Sequence, residues 1–308
     1  MEASNSHSFL SLVHLFVLFL LLCFVVTIEA NSKKKVSAFY VFGDSTVDPG
    51  NNNFIDTAFR SDFPPYGRDF VNQAATGRFT NGKLGTDFLA SYLGLKELVP
   101  PYLDPNLSDK ELVTGVSFAS AGSGFDPLTP MLGNVIPVAK QLEYFKEYKK
   151  RLEGTLGARK IALVGVPPMG CLPIMITLNS HNVFLERGCV DKYSAVARDH
   201  NMMLQHELFL MQLNFSNTNP AGAKISYLDI YGPLDDMIQA HQNLGFDEVD
   251  RGCCGSGYIE ATFMCNRVSY VCSDPSKFVF WDSIHPTEKA YYDLFMAARP
   301  TIDALING

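Results

Sequence analysis

The sequence predicts a single α/β domain in which helices cover both faces of a parallel sheet, and three observations carry that prediction. Short β-branched or aromatic runs recur along the chain, each closing in a polar or Gly/Pro-rich loop. Longer segments with helical periodicity separate them. The composition, 47% hydrophobic and 19% charged over 308 residues, suffices for a large core and excludes a disordered chain. Strand and helix alternating in this way give a parallel sheet whose ligands bind at the carboxyl ends of the strands.

Residues 1–30 read as a secretory signal peptide, because Leu15 to Ile28 is nearly all Leu, Val and Phe and Ala30 offers a small residue for cleavage. A membrane anchor needs about 20 apolar residues. Phe9 to Ile28 reaches that length only by including Ser11, His14 and Thr27, so no stable anchor is expected. The charges run the other way: no Lys or Arg precedes the apolar run, whereas Lys33, Lys34 and Lys35 follow it. The domain is therefore expected over residues 31–308. Its strands are expected at Val36–Phe42, Gly115–Ala119, Ile161–Val166 and Ile225–Asp229. Helices are expected at Leu84–Leu93, Pro137–Glu153, Asp191–Leu213 and Pro233–Asn243. A last helix runs from Thr287 toward Ile306, and Pro300 should kink or break it. In Pro137–Glu153, Leu142, Phe145 and Leu152 fall on a core-facing side while Lys146, Lys149, Lys150 and Arg151 point to solvent.

The formal charge of −7 becomes −5 once Glu2 and Glu29 leave with the signal, 25 basic residues then standing against 30 acidic ones. A mildly acidic chain without a basic stripe is not a nucleic-acid binder. Cys23 leaves as well, and the six remaining cysteines suit an oxidising compartment and three disulfides whose pairing the sequence leaves open. Cys253, Cys254, Cys265 and Cys272 have no His at ligand-like spacing, so no metal site is expected. Asn106-Leu107-Ser108 and Asn214-Phe215-Ser216 fit the N-glycosylation pattern.

Gly43-Asp44-Ser45 ends the first strand, and Asp282-Ser283-Ile284-His285-Pro286 lies near the end of the chain. A serine hydroxyl becomes a nucleophile when an imidazole accepts its proton, and a carboxylate fixes that imidazole's tautomer. Ser45, His285 and Asp282 supply these groups, and the spacing of Asp282 and His285 lets one short loop carry both. Taken singly, such residues more often cap helices and turns. His181, His200, His206 and His241 have no comparable partner pattern and read as ordinary helix or loop residues. No G-x-S-x-G elbow is present.

Four blocks carry a resemblance. Phe42-Gly43-Asp44-Ser45-Thr46-Val47-Asp48-Pro49-Gly50-Asn51-Asn52-Asn53, Ser117-Phe118-Ala119-Ser120-Ala121-Gly122-Ser123-Gly124, Gly165-Val166-Pro167-Pro168-Met169-Gly170-Cys171 and Phe280-Trp281-Asp282-Ser283-Ile284-His285-Pro286-Thr287 resemble motifs of the plant GDSL esterase/lipase family, a branch of the SGNH hydrolases. The resemblance covers almost the whole mature chain. It implies a secreted, cofactor-free carboxylic ester hydrolase with a three-layer α/β/α sandwich, acting on a small-molecule or lipid ester through an acyl-serine. Ser45 is the implied nucleophile, His285 the base and Asp282 its orienter, with the backbone N–H groups of Ser45 and Gly122 as oxyanion donors.

The chain departs from the pattern in three places. Ser117 stands where the family commonly has Asn, and Ala121 where it has Gly. The family's Gly-x-Asn-Asp strand end, whose Asn gives a third oxyanion donor, belongs between the helix ending near Glu153 and the strand starting at Ile161. Only Gly154–Lys160 joins them here, so the sheet is expected to lack one central strand. Asn51, Asn52, Asn53 and Asn81 are the only nearby motif amides available as substitutes. Losing one oxyanion donor costs about 10²–10³ in turnover, and the alternative expectation is a weak or inactive secreted binding protein that keeps the hydrolase fold.

Overall fold

The structure is a computed structural model that describes residues 36–152, 159–182, 184–218 and 223–307. The expected signal peptide and most of the Glu153–Ile161 junction lie outside the described residues. No described helix is long and apolar enough to cross a membrane.

Parallel pairing dominates. Strand β1 (Lys160–Val164) lies beside β2 (Lys224–Leu228), with Lys160 opposite Lys224 and Val164 opposite Leu228. Strand β3 (Glu248–Gly252) runs parallel to β4 (Phe278–Phe280) with a shift of register between Glu248 and Gly252. The longer helices are α1 (Gly85–Tyr92), α2 (Val138–Arg151), α3 (Asp191–Thr218), α4 (Tyr231–Gln239) and α5 (Glu288–Asn307).

The expected strands at Val36–Phe42 and Gly115–Ala119 are present as a ladder of single bridges. Val41 pairs with Ser117 in parallel, and Ser117 also pairs with Pro101. Phe39 donates to Thr114 at 3.2 Å, Val41 to Val116 at 3.2 Å and Phe118 to Val41 at 2.8 Å. Pro100 and Pro101 have no N–H to extend the outer rung, which limits the ladder to these few contacts. β3 and β4 were not expected from the sequence. Glu248-Val249-Asp250-Arg251-Gly252 is polar at three of five positions, with Glu248 and Arg251 pairing at 2.6 Å, and β4 is only three residues long.

Two details of the helices differ from expectation. In α2 the buried line is Gln141 and Tyr148, with Tyr144, Phe145 and Leu152 half-buried beside it, whereas Leu142 is 48% exposed. A polar residue therefore sits at the centre of the core-facing side. Helix α5 continues as one element through Pro300. Pro300 and Met296 are both exposed, so the carbonyl that proline leaves without its helical partner is on the solvent side of the helix.

The core forms in patches around this frame. Leu234, Met237 and Ile238 of α4 pack with Phe246, Val279, Phe280 and Leu294. Phe118, Tyr148, Leu112 and Val116 gather Tyr40, Phe42, Tyr102 and Phe145 around the first ladder. Inside a third region, Arg78 forms two 2.8 Å bonds to the buried carboxylate of Asp87, and Asp87 also accepts from the N–H groups of Leu84 and Val99 at 2.9 Å. Full pairing of this kind is what makes a buried charge tolerable.

β1 is an exception to that cover. Among the described residues its backbone ladder runs to β2 alone. Lys160, Ala162 and Val164 are exposed, Val164 by 51%, although an Ile-Ala-Leu-Val run is typical of a strand buried on both faces. Helix α3 likewise leaves Met202, Met203 and Phe209 at 61%, 67% and 60% exposure.

Candidate active site

The Asp282–His285 loop is built by the β3 and β4 pair. After β4, the chain turns back so that Phe280 bridges Pro286 antiparallel, and the Trp281 N–H donates to the His285 carbonyl at 2.7 Å. Thr287 closes the turn by donating to Val279 at 2.9 Å and, through Oγ1, to Phe278 at 2.8 Å. Cys253 and Cys254, directly after β3, donate to the carbonyls of Phe280 and Trp281. Disulfides Cys253–Cys272 and Cys254–Cys265 fasten this corner, and Cys171–Cys189 fastens the loop after β1. The adjacent cysteines left unassigned by the sequence thus hold the loop that carries the acid and the imidazole. Gly252 is required here by close approach, since a Cβ would lie 2.5 Å from the backbone of Asp282.

That loop meets the end of the first strand segment. His285 Nε2 lies 2.8 Å from Ser45 Oγ, and His285 Nδ1 lies 2.9 and 2.8 Å from the two oxygens of Asp282. Asp282 is fully buried and His285 is 3% exposed, while Ser45 is half-buried, so the chain runs from the interior to an accessible hydroxyl. Asp282 Oδ1 also accepts from the N–H groups of Ile284 at 2.9 Å and His285 at 2.8 Å. Its Oδ2 accepts from the Tyr66 hydroxyl at 2.9 Å. With the carboxylate on Nδ1, the tautomer that keeps a proton there leaves a lone pair on Nε2 facing the serine. Phe79 packs on the imidazole with ring centroids 4.9 Å apart.

Gly122 is brought to the same place by bonds to the serine turn. Ser120 N–H and Ser123 Oγ both donate to the Gly43 carbonyl, at 3.0 and 2.8 Å. Gly122 itself adopts φ +85°, a conformation that other residues rarely take. Among the described residues, no hydrogen bond occupies the N–H of Ser45 or of Gly122. Asp48 ties the two turns together from below, accepting from Gly50, Asn51 and Ala121 at 2.8, 2.7 and 2.9 Å. Burial pushes its carboxyl up to about 6 against the pull of those N–H groups.

The four motif amides named as available substitutes for the third oxyanion donor are engaged elsewhere. Asn51 Nδ2 donates to Ser117 and Ala119, Asn52 Nδ2 to Phe59 and Ala121, Asn53 Nδ2 to Thr76, and Asn81 Nδ2 to Asp69. Asn51 and Asn52 thereby tie the turn after Ser45 to the Ser117–Ala121 segment that leads to Gly122. Of the four other histidines named in the sequence, His241 bonds the Phe246 carbonyl through Nδ1 at 3.0 Å.

Sequence reasoning missed two residues of this region. Tyr66 was not singled out, although Pro64-Pro65 before it and Gly67 after it mark a rigid turn. Gln141 was not singled out either, since an isolated amide within a helical pattern carries no signal of its own. Its amide clasps both backbone groups of Gly43, accepting from the N–H at 3.0 Å and donating to the carbonyl at 2.9 Å.

Comparison with known proteins adds the following. The family model of GDSL-like lipase/acylhydrolase matches residues 39–151 and, in a second overlapping stretch, 135–298. GDSL esterase/lipase At5g45960 of Arabidopsis thaliana is 48% identical over 338 aligned positions that cover 90% of this chain and 89% of that protein. Two further Arabidopsis thaliana proteins, GDSL esterase/lipase At1g06990 and GDSL esterase/lipase APG, are each 38% identical, covering 87% and 88% of this chain and 89% and 93% of their own lengths. The first alignment has a numerical consequence: 90% of 308 residues is about 277, so about 60 of its 338 positions have no residue from this chain.

Proposed function

This chain belongs to the GDSL-like lipase/acylhydrolase family and is a hydrolase of the GDSL type, and we propose that it is a secreted carboxylic ester hydrolase working through an acyl-enzyme on Ser45. The observation that carries the reading is the continuous hydrogen-bonded line from Asp282 through His285 to Ser45 Oγ, beside two N–H groups that no described residue engages. His285 Nε2 takes the hydroxyl proton as Ser45 Oγ attacks the ester carbonyl. The N–H groups of Ser45 and Gly122 receive the charge that develops on the carbonyl oxygen. Asp282 steadies the imidazolium, which then returns the proton to the departing alcohol. Water, deprotonated by the same imidazole, releases the acid and restores Ser45.

Three disulfides support an oxidising destination, in keeping with the leader expected at residues 1–30. The substrate is a small-molecule or lipid ester, and the site needs neither metal nor cofactor for this chemistry.

The reading is tested by rapid mixing with a short-chain aryl ester. The expected result is a burst of alcohol, one per active site, followed by slower turnover. Linear release without a burst contradicts it.

A second reading, a protein that keeps the pocket but turns over weakly, is favoured by three observations taken together. About 60 aligned positions are missing, the family match divides into two stretches that overlap at residues 135–151, and among the described residues β1, which begins a few residues later, is paired on one edge only. An internal truncation between Arg151 and Lys160 accounts for all three. It removes the segment expected to bring the third oxyanion donor, and the four amides that could replace it are already engaged.

A further inference from the structure

We propose that Tyr66 is a positioning residue of this site, acting through Asp282 to hold His285 in register with Ser45; the inference rests on the hydrolase reading above. The Tyr66 ring is 1% exposed and caged by Phe63 and Phe79 at 5.7 Å and by Trp281 at 6.4 Å, all near edge-on. Its turn is pinned from both sides. Gly67 N–H donates to Thr80 at 2.9 Å, and the Arg68 guanidinium bonds the carbonyls of Cys272 and Ser273 at 2.6 and 3.1 Å. The phenol therefore has a fixed position from which it donates to Asp282 Oδ2.

The two carboxylate oxygens are held differently. Oδ1 has two backbone donors from its own loop, Ile284 and His285. Oδ2 has, besides the imidazole, only the Tyr66 hydroxyl among the described residues, and Asp282 has no exposed surface through which water could replace it. Without that hydroxyl one anchor of the carboxylate plane is lost, and its charge concentrates on the oxygen facing Nδ1. The other titratable group set against this pair is Tyr291, a fully buried phenol whose acidity is suppressed by burial and by the negative charges of Asp44 and Asp282. It stays neutral and cannot compensate.

Tyr66→Phe keeps the caged ring and removes the donor alone. The expected result is a fall in kcat of about tenfold, the scale of a hydrogen bond to a charged group, with KM unchanged. The acid limb of the rate profile moves to higher pH, because a less shared carboxylate stabilises the imidazolium more. In an Asp282→Asn background the Tyr66→Phe penalty disappears. A second arm needs no turnover: the His285 Nδ1–H proton resonance is displaced in the variant. Unchanged kcat, or a lowered kcat with unmoved pH profile and resonance, overturns the proposal, as does a penalty that persists beside Asp282→Asn. Absence of any burst in the parent counts against the hydrolase reading instead, while the resonance still decides the role of Tyr66.

Discussion

Ser45→Ala is expected to lower kcat on a short-chain aryl ester by about 10⁴–10⁶-fold, the range seen when a serine nucleophile is removed from an otherwise intact site. The effect is large because alanine deletes the atom that forms the covalent bond, and nothing nearby can replace it. Thr46, its neighbour, has its hydroxyl bonded to Asp44 Oδ1 at 2.8 Å. Ser120 and Ser123 hydroxyls are similarly committed, to Asn52 Oδ1 and to the Gly43 carbonyl. The fold should tolerate the change, since Ser45 is half-buried in a turn and its Oγ bonds His285 alone among the described residues. A loss of turnover without a loss of cooperative unfolding is therefore the expected pair of results. Turnover equal to the parent removes Ser45 from the mechanism.

The second large effect runs in the opposite direction. Inserting, between Arg151 and Lys160, a segment that carries a Gly-x-Asn-Asp strand end is expected to raise kcat by about 10²–10³-fold, the worth of one oxyanion donor. The insertion should also stabilise the fold. It would supply a partner for the edge of β1 that no described residue pairs with, and cover for Val164 and the exposed apolar residues of α3. Burying a Val or Phe side chain contributes about 1.5–3 kcal/mol. A higher melting temperature should therefore accompany the gain in rate. Equal kcat in the insertion variant and the parent would mean that the two backbone donors suffice, and that the shortened chain is complete as an enzyme.

Much of this site was legible in the sequence because it depends on strand ends. Gly43-Asp44-Ser45 closes an aromatic, β-branched run, and strand ends carry the ligand side of a parallel sheet. The Asp282 to His285 spacing let one loop present both groups, which is how the structure arranges them. Less was legible where contacts cross the chain without a periodic signal. β3 is polar at three of its five positions and becomes a strand through pairing with a three-residue partner some 30 residues away. Gln141 breaks the apolar pattern of its helix because its amide substitutes for a neighbouring strand's peptide on Gly43. The disulfide pairing was open because spacing alone does not fix connectivity. Tyr66 lies 216 residues from the carboxylate it bonds, a contact that only the folded chain displays.

The central claim, that a hydroxyl at the end of the first strand segment is activated by an imidazole from the far end of the chain, is tested most directly by covalent labelling. A phosphonate ester with a good leaving group is incubated with the protein, and peptide mass mapping locates the adduct. The account predicts one phosphonyl group per chain on the peptide containing Ser45, and loss of labelling in His285→Ala. An unmodified Ser45, a label on another residue, or labelling that persists without His285 contradicts it.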